Sequence, residues 1–149
     1  MPVSEEREDV LLLDVPTAGD YLSVLPTATA AVATRLGFSL DAIEDLRAAV
    51  NAAVTLLLPE SGRGRAPRRR AGEDSLHCRL EVRDEVLQIV LSRPKGDPLP
   101  EQGNYQWQVL RALTDEVESD IEGALSTIRI RQRRPSSETD AETEAYRIR

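Results

Sequence analysis

Cysteine is almost missing from this chain: Cys78 stands alone among 149 residues. A lone thiol forms no intramolecular disulfide and cannot assemble a cysteine-based metal site within one chain, which fits a reducing compartment. Histidine is just as scarce. The single His77 alternates onto the polar side of an expected strand with no nucleophile or carboxylate cluster beside it, whereas acid–base and nucleophilic catalysis need a positioned base next to its partner. No catalytic residue and no metal ligand set are therefore expected. Apolar runs of membrane-spanning length are also lacking, and Met1-Pro2-Val3-Ser4-Glu5-Glu6 has neither the basic nor the apolar part of a signal peptide. The expectation is a cytoplasmic protein without a membrane partner. Positive charge is in deficit, 19 Lys and Arg against 26 Asp and Glu, and the net charge of -7 disfavours adhesion to nucleic acid. Phosphate-cradling glycines directly before a helix are not found, since Gly62 and Gly64 follow one instead.

What the chain does have is 40% apolar residues, enough for one core and too few residues for two ordinary domains. The expected layout is an acidic leader at 1–8, a domain at 9–134 and a disordered tail at 135–149. Within the domain, residues 61–72 carry five arginines and no bulky apolar side chain, so the stretch from Arg63 to Arg70 reads as a mobile loop. Residues 10–15 suggest a strand stopped by Pro16. From 20 to 36 the apolar positions Leu22, Leu25, Thr29, Val32 and Leu36 follow a 3.6-residue period that Gly37 ends, with Pro26 demanding either a late start or a bend. Ser39 is placed to cap a second helix carrying Leu40, Ile43, Leu46, Val50, Val54 and Leu57 on its apolar side. Leu76, Cys78, Leu80 and Val82 alternate with His77, Arg79, Glu81 and Arg83, and a turn near Asp84 makes this a hairpin with 86–91. A third helix is expected over 105–113, then a hairpin of 117–121 and 125–131 with Ile128 and Ile130 inward. This order predicts an α+β two-layer sandwich: a mostly antiparallel sheet of about five strands with three helices on one face.

Three segments carry a family likeness: YLSVLPTATAAVATRLGFSLDAIEDLRAAVNAAVTLLL (21–58), YQWQVLRALTDEVE (105–118) and STIRIRQRR (126–134). In content, order and spacing they resemble the serine-kinase anti-sigma factors, especially the actinobacterial branch linked to stress and sporulation sigma factors. The resemblance implies the histidine kinase/Hsp90-like ATPase fold, a homodimer, and partners that are a sigma factor, an antagonist of anti-sigma proteins, or both. It also implies a chemistry in many members: ATP-dependent phosphorylation of the antagonist on serine, with a helix-borne glutamate, a magnesium-binding asparagine and an adenine-binding aspartate.

Aligned on Asp45-Leu46-Arg47, the glutamate position falls on Ala52 and the asparagine position on Leu56, with Asn51 beside the first slot but pointing elsewhere on the helix. Alanine offers no base and leucine no oxygen for a hard cation. The adenine position falls on Ser92 or its neighbours, where Ser92-Arg93-Pro94-Lys95-Gly96 lacks the family's Asp-x-Gly-x-Gly, and Gly103-Asn104-Tyr105-Gln106-Trp107 replaces the glycine-rich lid. The expectation is a pseudokinase-like regulator that binds protein partners without an ATP or magnesium cofactor. The alternatives are an active serine/threonine kinase using ATP and magnesium, and a heterodimer subunit supporting an active relative. For partner contact, the side of the first helix opposite its apolar stripe offers Asp20, Ser23, Thr27, Ala30 and Thr34, and Pro26 stands near the place where family members carry an arginine.

Overall fold

The computed structural model describes residues 8–17, 19–58, 75–94, 99–122 and 125–135. The leader at 1–7, the arginine-rich loop at 61–72 and the tail from 136 onward lie outside the described residues. Five strands, β1 (Glu8–Pro16), β2 (Ser75–Arg83), β3 (Val86–Pro94), β4 (Glu116–Glu122) and β5 (Leu125–Arg133), pair antiparallel throughout in the order β1-β2-β3-β5-β4. Three helices, α1 (Val24–Arg35), α2 (Leu40–Leu57) and α3 (Tyr105–Leu113), lie on the face to which Leu76, Cys78, Leu80, Leu87, Ile89, Leu91, Ile128 and Ile130 point. The architecture is therefore the expected two-layer α+β sandwich, with one core between the layers.

The first helix does start late. A 3₁₀ turn at Gly19–Ser23 precedes it, and Pro26 is its third residue, inside the turn whose backbone N–H groups have no helical acceptor in any case. Pro26 is buried, so it packs inward and offers nothing to a partner. At the other end Gly37 takes φ 84°, its N–H donates to the Thr34 carbonyl (3.2 Å), and the Phe38 N–H donates to the Ala33 carbonyl (3.1 Å). These paired bonds make a Schellman stop, with the Phe38 ring buried beneath it. Ser39 caps α2 as expected, its Oγ accepting from the Ala42 N–H at 3.2 Å. Leu40 departs from expectation: it is 74% exposed. Burial deepens along α2, from half at Ala42 and Ile43 to complete at Leu46, so the first turn stands outside the layer and the apolar stripe begins one turn later.

The β2–β3 hairpin turns through Asp84 (φ 50°) and Glu85 (φ 65°), both left-handed, which is the two-residue geometry that matches strand twist. Aspartate tolerates that conformation, but glutamate is poorly suited to it. Replacing the pair as Asp84→Asn with Glu85→Gly is expected to stabilise the protein by about 1 kcal/mol. Thermal denaturation checks this; the contact given up between the partly buried Arg134 and Glu85 (3.8 Å) is beyond hydrogen-bond reach, so little is lost with it.

Two outward residues are less solvated than their alternation suggested. Glu81 faces away from the helices yet is only 4% exposed. A polar ladder across four strands roofs it: Gln88 Nε2 donates to Glu81, Arg131 Nε donates to Gln88 Oε1 (2.9 Å), and Arg131 Nη1 reaches Glu116 (3.3 Å) and Glu118 (3.4 Å). His77 is hydrogen-bonded through Nδ1 to Asp14 on β1. On the inner face, burial pushes the Cys78 thiol from 9.0 up to about 12. The unfolded thiol ionises first, so this group's contribution is complete below pH 9.0 and is lost as pH rises towards about 12. An aromatic disulfide reagent at pH 8 is accordingly expected to react with the native protein only as fast as it opens, and fully in denaturant.

The candidate partner face and the closed second helix

Ser23, Thr27, Ala30 and Thr34 recur at helical spacing along α1 and are exposed, Ala30 partly so. Asp20 lies beyond the helix, exposed in the 3₁₀ turn, where its carbonyl accepts from Ser23 Oγ at 2.8 Å. The hydroxyls on this face are spent on the backbone: Thr27 Oγ1 donates to the Ser23 carbonyl (3.0 Å) and Thr34 Oγ1 to the Ala30 carbonyl (2.8 Å). Methyl groups are thus what the threonines turn outward. Tyr21 and Val24 add exposed apolar area at the same end. From Tyr21 to Thr34 the segment carries no charged residue, although 30% of the chain is charged. Such a face buries against a partner without stranding a donor or an ion.

The positions on which the resemblance places the glutamate and the asparagine are in a different environment. Ala52 is 3% exposed and Leu56 1%, both part of the continuous apolar core. Along α2 every oxygen-bearing side chain is on the outer side: Asp41, Glu44, Asp45 and Asn51 are exposed and Thr55 half-buried, its hydroxyl donating to the Asn51 carbonyl (2.9 Å). Helices α1 and α3 flank α2. Asn104 caps α3, accepting from the Gln106 N–H at 2.8 Å, and the buried Trp107 fixes the preceding segment by donating from Nε1 to the Pro100 carbonyl (2.9 Å).

Ser92 is not brought to Ala52 and Leu56. It sits on the outer face of the sheet, between His77 and Thr127 on neighbouring strands. The residue that does reach α2 is Arg93, whose Nη1 donates to the Leu57 carbonyl at 2.6 Å. A guanidinium there meets the negative end of the helix. Sequence reading passed over Arg93, although the inward alternation of Leu87, Ile89 and Leu91 extends to it. Among the described residues no group of three or more metal-ligating side chains converges, and no helix is long and apolar enough to cross a membrane.

Three helices layered over a five-stranded antiparallel sheet agree with a two-layer sandwich of the histidine kinase/Hsp90-like ATPase type. No family model matches the chain. Over 92 residues it is 27% identical to the serine-protein kinase RsbW of Bacillus pumilus (strain SAFR-032), a match that takes in 61% of this chain and 54% of that protein. The chain thus spans about half the length of the curated relative it matches. The similarity is to an RsbW-like protein, in line with the family that the three segments suggest.

Proposed function

We propose that this protein is an anti-sigma factor-like regulator of transcription that acts by binding a sigma factor, or an antagonist of anti-sigma proteins, without turning over ATP. The observation that carries the reading is the burial of Ala52 and Leu56. Phosphoryl transfer rests on positioning and on cations held by oxygen, and these two side chains present a methyl and an isobutyl group to packed neighbours. Binding alone is enough for a switch: two partners competing for one surface redistribute according to their affinities. The uncharged face of α1 is the surface assigned to that role. Of the two sheet edges, β4 carries Glu116, Glu118 and Asp120 beside one exposed apolar residue, Ile121, while β1 exposes Val10 and Leu12 beside Asp14, and the homodimer is proposed at the β1 edge.

The test is affinity capture from the host followed by mass spectrometry, with and without ATP. Recovery of a sigma factor or its antagonist equally under both conditions is the expected result; recovery of neither counts against the reading. The second reading, a serine/threonine kinase using ATP and magnesium, is favoured by the name of the similar protein. Calorimetry with Mg-ATP separates the two, since binding tighter than about 100 μM, about 5.5 kcal/mol, revives the kinase.

A further inference from the structure

We propose that the face of the sheet turned away from the helices holds a site for a dianionic phosphate group, carried either by free phosphate or by a phosphorylated side chain. Two adjacent rows build it. Arg79, Val90 and Arg129 lie side by side on β2, β3 and β5, and the next outward row is His77, Ser92 and Thr127. With neighbouring strands about 4.8 Å apart, the two arginine backbones stand about 10 Å apart across Val90, and the hydroxyl row lies about 7 Å along the strands. Long guanidinium side chains rooted at that separation can meet over one anion. Together with Asp14 these residues line a depression of about 480 Å³.

Three observations give the site its chemistry. Thr127 is only 8% exposed, yet its hydroxyl forms no hydrogen bond among the described residues, and the same holds for the half-buried Ser92 hydroxyl. Arg79 is exposed and has no ion-pair partner among the described residues. Arg129 is 3.7 Å from Glu118, which leaves guanidinium donors over for a ligand. Hydroxyl donors without acceptors beside two guanidinium groups call for a ligand that accepts many hydrogen bonds and carries negative charge. A cation would be repelled by both arginines, and a neutral ligand would leave the charge of Arg79 unanswered. Three carboxylates on this face oppose an anion: Asp14, engaged by His77; Glu118, beside Arg129; and the exposed Asp120, which flanks Thr127 from β4, so the ligand is held from the Arg79 side. Phosphate offers accepting oxygens in several directions at once, matching donors that approach from three strands. The site is on the opposite side of the sheet from α1, so it stands or falls separately from the regulator reading.

The experiment is a titration of the full chain with inorganic phosphate and with O-phosphoserine, followed by amide NMR shifts. Saturable shifts centred on Arg79, Ser92 and Thr127 are expected. Arg79→Gln should weaken binding by at least about tenfold, and Thr127→Val, which keeps the side-chain shape, by severalfold. Arg111→Gln on α3 should leave affinity unchanged. O-phosphoserine binding at least tenfold more tightly than phosphate identifies a phosphorylated side chain as the source, while equal affinities identify free phosphate. Absence of saturable shifts at those amides with either probe up to about 20 mM, a limit near 2 kcal/mol, overturns the proposal. So does an equal loss in Arg111→Gln, which would mean attraction to positive charge in general.

Discussion

Ala52→Glu is expected to destabilise the protein by at least about 3 kcal/mol, and Ala52→Glu with Leu56→Asn by more, although both changes rebuild the residue types that a nucleotide-using relative needs. The reason is the location. At 3% exposure, a glutamate at position 52 has core neighbours and no resident cation, so it must overfill the core, carry an unpaired charge, or take up a proton and still lack a hydrogen-bond partner. Asn51→Glu, one residue away on the exposed side of the same helix, serves as the control and should move stability by less than about 0.5 kcal/mol. Urea unfolding measures the difference. With a slope of about 1.5 kcal/mol per molar for a chain of this size, the Ala52→Glu midpoint should fall by about 2 M. An Ala52→Glu protein as stable as the parent would mean that position 52 opens onto solvated space, as the floor of a nucleotide site does, and the reading without turnover would be wrong.

The layer order and the element types were legible in the sequence because each is written locally. The spacing of Leu25, Thr29, Val32 and Leu36 gives a helix period, Gly37 gives its stop, Ser39 its successor's cap, and the alternation through Leu76, Cys78 and Leu80 a half-buried strand. Pro26 left two possibilities open, and the 3₁₀ turn before α1 decides for the late start. What was not legible depends on neighbours distant along the chain. Leu40 fits the apolar stripe by spacing, but whether α2's first turn lies under the other helices is a matter of layer placement. Glu81 fits a solvated strand position until Gln88 and Arg131 arrive beside it from β3 and β5. The same limit applies to the candidate site. The resemblance puts the adenine position on Ser92 or its neighbours, and the pleat of β3 sends Ser92 to one face and Arg93 to the other. A one-residue uncertainty in a strand exchanges the faces, which is why Arg93 was missed.

Thr27→Arg is expected to abolish partner capture, with an affinity loss of at least about 100-fold, or about 2.7 kcal/mol, while leaving the fold intact. Thr27 is exposed near the start of α1, and the only hydrogen bond of its hydroxyl among the described residues is to the Ser23 carbonyl one turn back, so arginine, a better helix former, replaces it at little cost in stability. In a complex the situation reverses. Ser23, Thr27, Ala30 and Thr34 form a face of small side chains whose hydroxyls are already bonded, and this suits close approach by an apolar partner surface. A guanidinium placed there must lose water without finding a carboxylate, a cost that falls on the complex alone. Arg111→Gln, on α3 across α2 from this face, supplies the matched control and should capture partners as the parent does. Thermal melts of both variants within a few degrees of the parent would separate lost binding from lost folding. Undiminished capture by Thr27→Arg would remove α1 as the contact surface and shift the search to the β1 edge, where Val10 and Leu12 are the exposed apolar residues.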